Sequence, residues 1–191
     1  MKNLILKNLQ GSKVLVLFIV TSAVYTFMLT VTIPAMMNYS GGMKILDMMP
    51  SGFTPQYVME LLETLGEEGR KFYLYRQIPM DMIYPGLFGI TYCLIIGFFL
   101  KILQKSNTKL IYLSLFPLVA GLFDYCENIG IIILLKNWPD FSEILAHTTS
   151  VFALIKSATS TITFSLVIIL VIIITIRWLT KPRNAMMQAK P

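Results

Sequence analysis

Four stretches of this chain, residues 14–34, 82–100, 110–135 and 149–176, are each long and apolar enough to cross a bilayer. About 20 apolar residues in a helix match the roughly 30 Å thickness of the hydrocarbon core. No water is available there to satisfy a bare backbone, so only helices and closed barrels can span it. Barrel strands would read as short segments of alternating polarity. These runs are long and continuous, and their Ile and Val content therefore does not argue for strands. The expected fold is all-α, an integral membrane four-helix bundle with an amphipathic helical external loop. Four spans use up most of the chain, so residues 1–191 are read as a single transmembrane domain with a structured external loop at about 35–81.

Composition agrees. Charged residues make up 14% of the 191 and hydrophobic ones 55%, with a mean hydropathy of +0.69. A soluble domain carries about 25% charged residues. A soluble enzyme core, a disordered chain and a secreted disulfide scaffold are thereby excluded. Cys93 and Cys126 both fall in apolar runs, where a thiol behaves as a small hydrophobe. His147 has no companion histidine, so no zinc site is expected. There is no nucleophile elbow, metal-ligand cluster or glycine-rich phosphate loop, and no cofactor is expected. The first run follows Lys2, Lys7 and Lys13, lacks a small-x-small cleavage site and is longer than a signal core, so it reads as a retained signal-anchor helix.

Orientation follows from charge. Ten of the 16 basic residues fall in three places: Lys2, Lys7 and Lys13; Lys101, Lys105 and Lys109; and Arg177, Lys181, Arg183 and Lys190. None of these segments contains an acid. Lys44, Arg70, Lys71, Arg76 and Lys136, on the other side, are mixed with eight acids, among them Asp47, Glu60, Glu63, Asp81 and Asp140. The positive-inside tendency then places both termini in the cytoplasm, and a bacterial plasma membrane is the expected location. The net charge of +6 is therefore a topology signal and an anionic-lipid contact, with no nucleic acid as a partner.

The first external connection has structure of its own. Thr54-Pro55 is a helix start, a capping hydroxyl followed by proline at the first helical position. Tyr57, Val58, Leu61, Leu62 and Leu65 recur at helical spacing, and Gly66 is a natural stop. A second short helix is expected over residues 71–76, feeding the second span at Pro79. Such a loop either caps the outer ends of the bundle or covers a cavity or partner surface; an amphipathic pattern fits each of these.

The chemistry-bearing residues lie inside the spans. Asp124, Glu127 and Asn128 are at i, i+3 and i+4, on one helix face. A charge at the bilayer centre costs about 2.5–3.5 kcal/mol on the lenient insertion scale, so this face must meet protein or water. Lys156 in the fourth span is the counter-charge. Counted at 1.5 Å per residue, Glu127 lies about 12 Å and Lys156 about 10 Å below the outer ends of their spans. A Lys156–Glu127 pair is thus within reach of these antiparallel neighbours. Tyr25, Thr26 and Thr30 on the first span, Asp81 and Tyr84 opening the second, and Ser157 and Ser160 beside the lysine reach the same outer half. Pro85 and Pro117 add kinks whose freed carbonyls can accept hydrogen bonds. The sum is a polar pocket opening outward, between bundle and loop. Two acids beside one base leave an excess carboxyl, which suits a general acid, a proton carrier or a ligand clamp.

Residues 45–85 and the stretch Gly121 to Asn128 (GLFDYCEN) resemble a family of small four-span integral membrane proteins of unassigned function. That family's loop helix ends in a Leu-Gly-x-x-Gly-Arg turn, here Leu65 to Arg70. An acid follows at the start of the second span, here Asp81, and a Phe-Asp-x-x-Glu-Asn core in the third, here Phe123 to Asn128. A looser likeness, of architecture and not of motif, is to the sterol-isomerase and sigma-2-receptor-like membrane proteins, whose bundles place acids in a cavity open to lipid. That likeness implies a lipid or amphiphile pocket.

The expected ligand-binding set is Asp81, Tyr84, Asp124, Glu127, Asn128, Lys156, Tyr25 and Arg70. Glu127, Asp124 and Lys156 are the catalytic candidates. Membrane lipids and a small amphiphilic ligand are the expected partners, the acids facing a polar or cationic head and the helices its tail. The alternatives are a lipid-modifying enzyme using a carboxylate acid/base, and a structural or accessory subunit in a homo-oligomer or with a membrane partner.

Overall fold

The computed structural model describes residues 2–180. Lys181, Arg183 and Lys190, the basic tail residues used for orientation, lie outside them. The described residues form six helices and no strand: α1 (Lys2–Lys7), α2 (Gly11–Met37), α3 (Pro55–Thr64), α4 (Gly66–Ile102), α5 (Lys109–Lys136) and α6 (Glu143–Leu179). The all-α fold is as expected, and α2, α4, α5 and α6 are the four helices long and apolar enough to cross a membrane.

Helix ends differ from the ends of the apolar runs. At 1.5 Å per residue, the 37 residues of α4 and of α6 are each about 55 Å long, well beyond the hydrocarbon thickness. The apolar run marks the part of the helix in lipid; the helix itself continues into the cap. Gly66 does stop α3, at a φ of +60° that suits glycine, but the chain re-enters helix at once. The segment expected as a separate helix at 71–76 is therefore the protruding start of α4, interrupted only by a turn at Met82–Ile83. Likewise α6 begins at Glu143, so only residues 137–142 connect it to α5.

Prolines set the local geometry of three spans. A proline lacks an N–H, and its ring collides with the carbonyl four residues back. Wider π-helical turns, at Met28–Thr32 before Pro34 and at Tyr73–Gln77 before Pro79, absorb this conflict. In α5 a 3-10 stretch, Lys109–Leu115, precedes the α-helix that starts at Phe116-Pro117. Of the two prolines expected to kink their spans, Pro117 thus follows a change in helix type and Pro85 follows the turn at Met82–Ile83.

α4 is central, packing against α2, α5 and α6, while α5 and α6 form the most extensive pair. Small residues allow the close approaches. A Cβ on Gly121 would stand 2.6 Å from the Pro85 carbonyl oxygen, and one on Gly130 would collide with Thr149. α2 packs on α4, where the Thr21 and Thr91 hydroxyls share a 2.7 Å hydrogen bond, but it makes little contact with α6.

Two apolar cores lie at opposite ends. One joins Val58, Leu61 and Leu62 of α3 to Ile131, Leu134 and Ala146. Tyr57 N–H donates to Thr54 Oγ1 over 3.2 Å, the expected cap. The other core joins Ile5 and Leu9 to Ile96 and Ile111. At that end Lys2 Nζ donates to the Asn107 carbonyl over 3.1 Å, Lys101 Nζ to Leu9 over 3.0 Å, and Arg177 to Leu103 over 3.4 Å. Lys2, Lys101 and Arg177, one from each of the three basic segments, are therefore gathered at one end of the bundle.

Candidate functional site

Between the two apolar cores lies a polar cluster built by four elements. The α5 face carrying Asp124, Glu127 and Asn128 is buried, as its spacing required. Lys156 of α6 is in ion contact with Glu127 and stands 3.4 Å from Asp124 Oδ1. The pair anticipated from depth is formed, and one ammonium bridges both acids.

Asn128 has another partner. Its Nδ2 donates over 3.2 Å to the backbone carbonyl of Asp81. Asp81 lies four residues before Pro85, so this is the carbonyl that the proline leaves without a helical donor. The amide of α5 thus repairs a gap in α4 and locks the two spans in register. The Asp81 side chain is free for another task.

The loop between α2 and α3 contributes a group that the sequence reading counted only as an outside charge. Asp47 sits in the 3-10 turn Leu46–Met48. Its carboxylate accepts from the Tyr73 hydroxyl and, over 3.2 Å, from Gln77 Nε2, and its backbone carbonyl accepts from Lys156 Nζ over 3.4 Å. Tyr73 Oη accepts in turn from Leu46 N–H over 3.1 Å. Tyr73 and Gln77 are fully buried and flank the π-helical stretch, so the widened turn aims both at the loop. Further along, Phe53 N–H donates over 2.8 Å to Ser150 Oγ of α6, beside Gly52 at a φ of +76°. The loop is thereby latched to α4 and α6.

Part of this cluster borders a cavity of about 300 Å³. Asp81, Asp124, Lys156, Ser157 and Ser160 line one part of it. Tyr25, Tyr84, Phe88 and Phe164 form an aromatic wall, with Tyr25 stacked on Tyr84 at 5.2 Å and Phe88 5.8 Å from Phe164. Asp47, Met48 and Pro50 of the loop belong to the lining as well. Met28 and Leu29 of α2 and Lys156 and Ser160 of α6 complete it. The loop turn thus shares the lining of the cavity with α2 and α6, two spans that scarcely touch.

Not every expected residue joins this arrangement. Glu127 and Asn128 sit behind the cavity wall as partners of Lys156 and Asp81. Arg70 donates over 2.6 Å to the Leu62 carbonyl near the end of α3, and its guanidinium lies 5.2 Å from the Trp138 ring. It fastens the cap and does not border the cavity. Thr26 and Thr30 face outward, Thr30 bonding back to the Thr26 carbonyl of its own helix. Asp47, Tyr73 and Gln77 were missed. An acid inside the apolar run Ile45 to Met49, and a Tyr–Gln pair at i, i+4, were the available signals. Among the described residues no group of acids, histidines and cysteines has the arrangement of a metal site.

No family model matches the chain, and neither a curated protein nor a solved structure is significantly similar to it.

Proposed function

We propose that this chain is a membrane protein that takes up a lipid or other amphiphile from the bilayer through the gap between α2 and α6. The head would sit among Asp81, Asp124, Ser157 and Ser160, and the tail would run along the aromatic wall into the surrounding lipid. The observation that carries this reading is the continuity of a buried charged cluster with exposed apolar helix surface through one cavity. About 300 Å³ is the lower end of the range for small-molecule sites, enough for a head and its first carbons. Tyr25 and Phe164, on the two sides of the gap, are 45% and 43% exposed, as lipid-facing residues of an open crevice would be.

Native mass spectrometry of gently purified protein tests this. The wild type is expected to retain a discrete small-molecule adduct. Ser160→Phe, which fills the cavity and leaves the Lys156 ion pairs in place, is expected to lose it with little change in melting temperature. Equal adducts in both proteins would overturn the reading.

We further place the gathered basic end in the cytoplasm of a bacterial cell, following the positive-inside rule. A cysteine at Asp140 should then react with a membrane-impermeant maleimide in intact cells. One at Asn107 should react only after lysis. The reverse pattern would invert the topology.

A further inference from the structure

We infer that the head bound in the cavity is an ammonium group, so that the ligand is an amphiphilic amine. This deepens the preceding proposal and rests on it. Four carboxyl groups, Asp47, Asp81, Asp124 and Glu127, share one electrostatic neighbourhood with, among the described residues, a single ammonium, Lys156. Three of the four already have partners. Asp124 and Glu127 hold Lys156, and Asp47 accepts from Tyr73 and Gln77.

Asp81 differs. It borders the cavity, is only 5% exposed, and its Oδ2 is buried with no hydrogen-bond partner among the described residues. A buried carboxylate without donors is strongly unfavourable, and a ligand that brings both donors and positive charge relieves it. A primary ammonium has three N–H donors, which match Asp81, Asp124 and the Ser157 or Ser160 hydroxyl. Tyr84 and Phe88 offer ring faces that attract a cation. A phosphate or carboxylate head would instead meet three groups of its own sign on the cavity wall, Asp47, Asp81 and Asp124, beside a Lys156 that Asp124 and Glu127 already engage. An alcohol would supply one donor and no charge.

A photoreactive long-chain amine carrying a diazirine is suited to the test, with the protein in phosphatidylcholine nanodiscs and labelled residues mapped by peptide mass spectrometry. Dodecylamine, dodecanol and dodecyl phosphate are the competitors, at matched chain length. Dodecylamine is expected to displace the probe at about tenfold lower concentration than dodecanol, the scale of a hydrogen bond to a charged group. Dodecyl phosphate is expected to be weaker still. Asp81→Asn should remove the preference for the amine and leave competition by dodecanol unchanged, whereas Asp81→Glu should keep it.

Repeating the competition with phosphatidylethanolamine in the nanodisc distinguishes the source. Displacement by that lipid assigns the ammonium to a membrane aminolipid, and its failure assigns it to a free amine. If dodecanol competes as well as dodecylamine, the amine assignment is wrong while the amphiphile cavity stands. If no competitor displaces the probe from cavity residues, both fall.

Discussion

Replacing Lys156 by methionine is expected to destabilise the protein by about 3–5 kcal/mol, the usual cost of removing one member of a buried ion pair. Among the described residues Lys156 is the one cation in contact with Asp124 and Glu127, and Glu127 is fully buried. Without the ammonium, two acids face each other in a low-dielectric interior. The same variant removes the donor to the Asp47 carbonyl, so the loop loses one of its attachments. The triple variant Lys156→Met, Asp124→Asn, Glu127→Gln should recover most of the loss, since it removes the unpaired charges together. Denaturant titrations of the single and triple variants in detergent micelles check both statements. A triple variant no better than the single one would show that Lys156 acts through packing alone.

The second large effect is expected at Asp47. Alanine there removes the acceptor for two fully buried donors, the Tyr73 hydroxyl and the Gln77 amide. Each buried donor left without a partner costs about 1–3 kcal/mol, so a loss of roughly 2–6 kcal/mol is expected. The consequence should be local. The loop packs on the bundle through Ile45, Leu46 and Phe53 and is latched by Asp47 and by Phe53 N–H on Ser150. Hydrogen exchange over residues 45–53 should therefore accelerate much more than exchange in α5. Uniform acceleration across the bundle would mean that loop and spans unfold as one unit.

Spans, loop helix and the polar face of α5 were legible in the sequence because each is a local pattern. An apolar run of membrane length, a capping threonine before proline, and acids at i and i+3 need only their own neighbours to be read. The Lys156–Glu127 contact was legible for a related reason: a short connection and a shared depth leave few other partners.

The rest depends on relations that spacing does not carry. Asp47 meets Tyr73 and Gln77 across 26 and 30 residues, through a loop whose path is set by packing. Thr26 and Thr30 share a span with Tyr25, yet the rotation of α2 turns them outward. Arg70 sits in the motif Leu65 to Arg70 and was counted in the candidate site. Its place is fixed by the Leu62 carbonyl and by Trp138, a ring contributed from the connection between α5 and α6. That α2 and α6 line one cavity while scarcely touching was not visible either, because apolar runs do not say which spans pack together.

Labelling from the lipid side tests the central claim most directly. Cells fed a diazirine-bearing fatty acid incorporate it into all their lipids, and irradiation marks whatever protein surface those chains touch. Ile168 and Ile172, on the exposed face of α6, should carry adducts of the bulk lipid mixture. Phe88 and Ala120 are almost fully buried yet border the cavity, so a chain reaches them only from within it. The expected result is labelling of Phe88 and Ala120 by one class of amphiphile, abolished by Ser160→Phe. Strong labelling of Ile168 and Ile172 with none at Phe88 or Ala120 would contradict an amphiphile in the cavity.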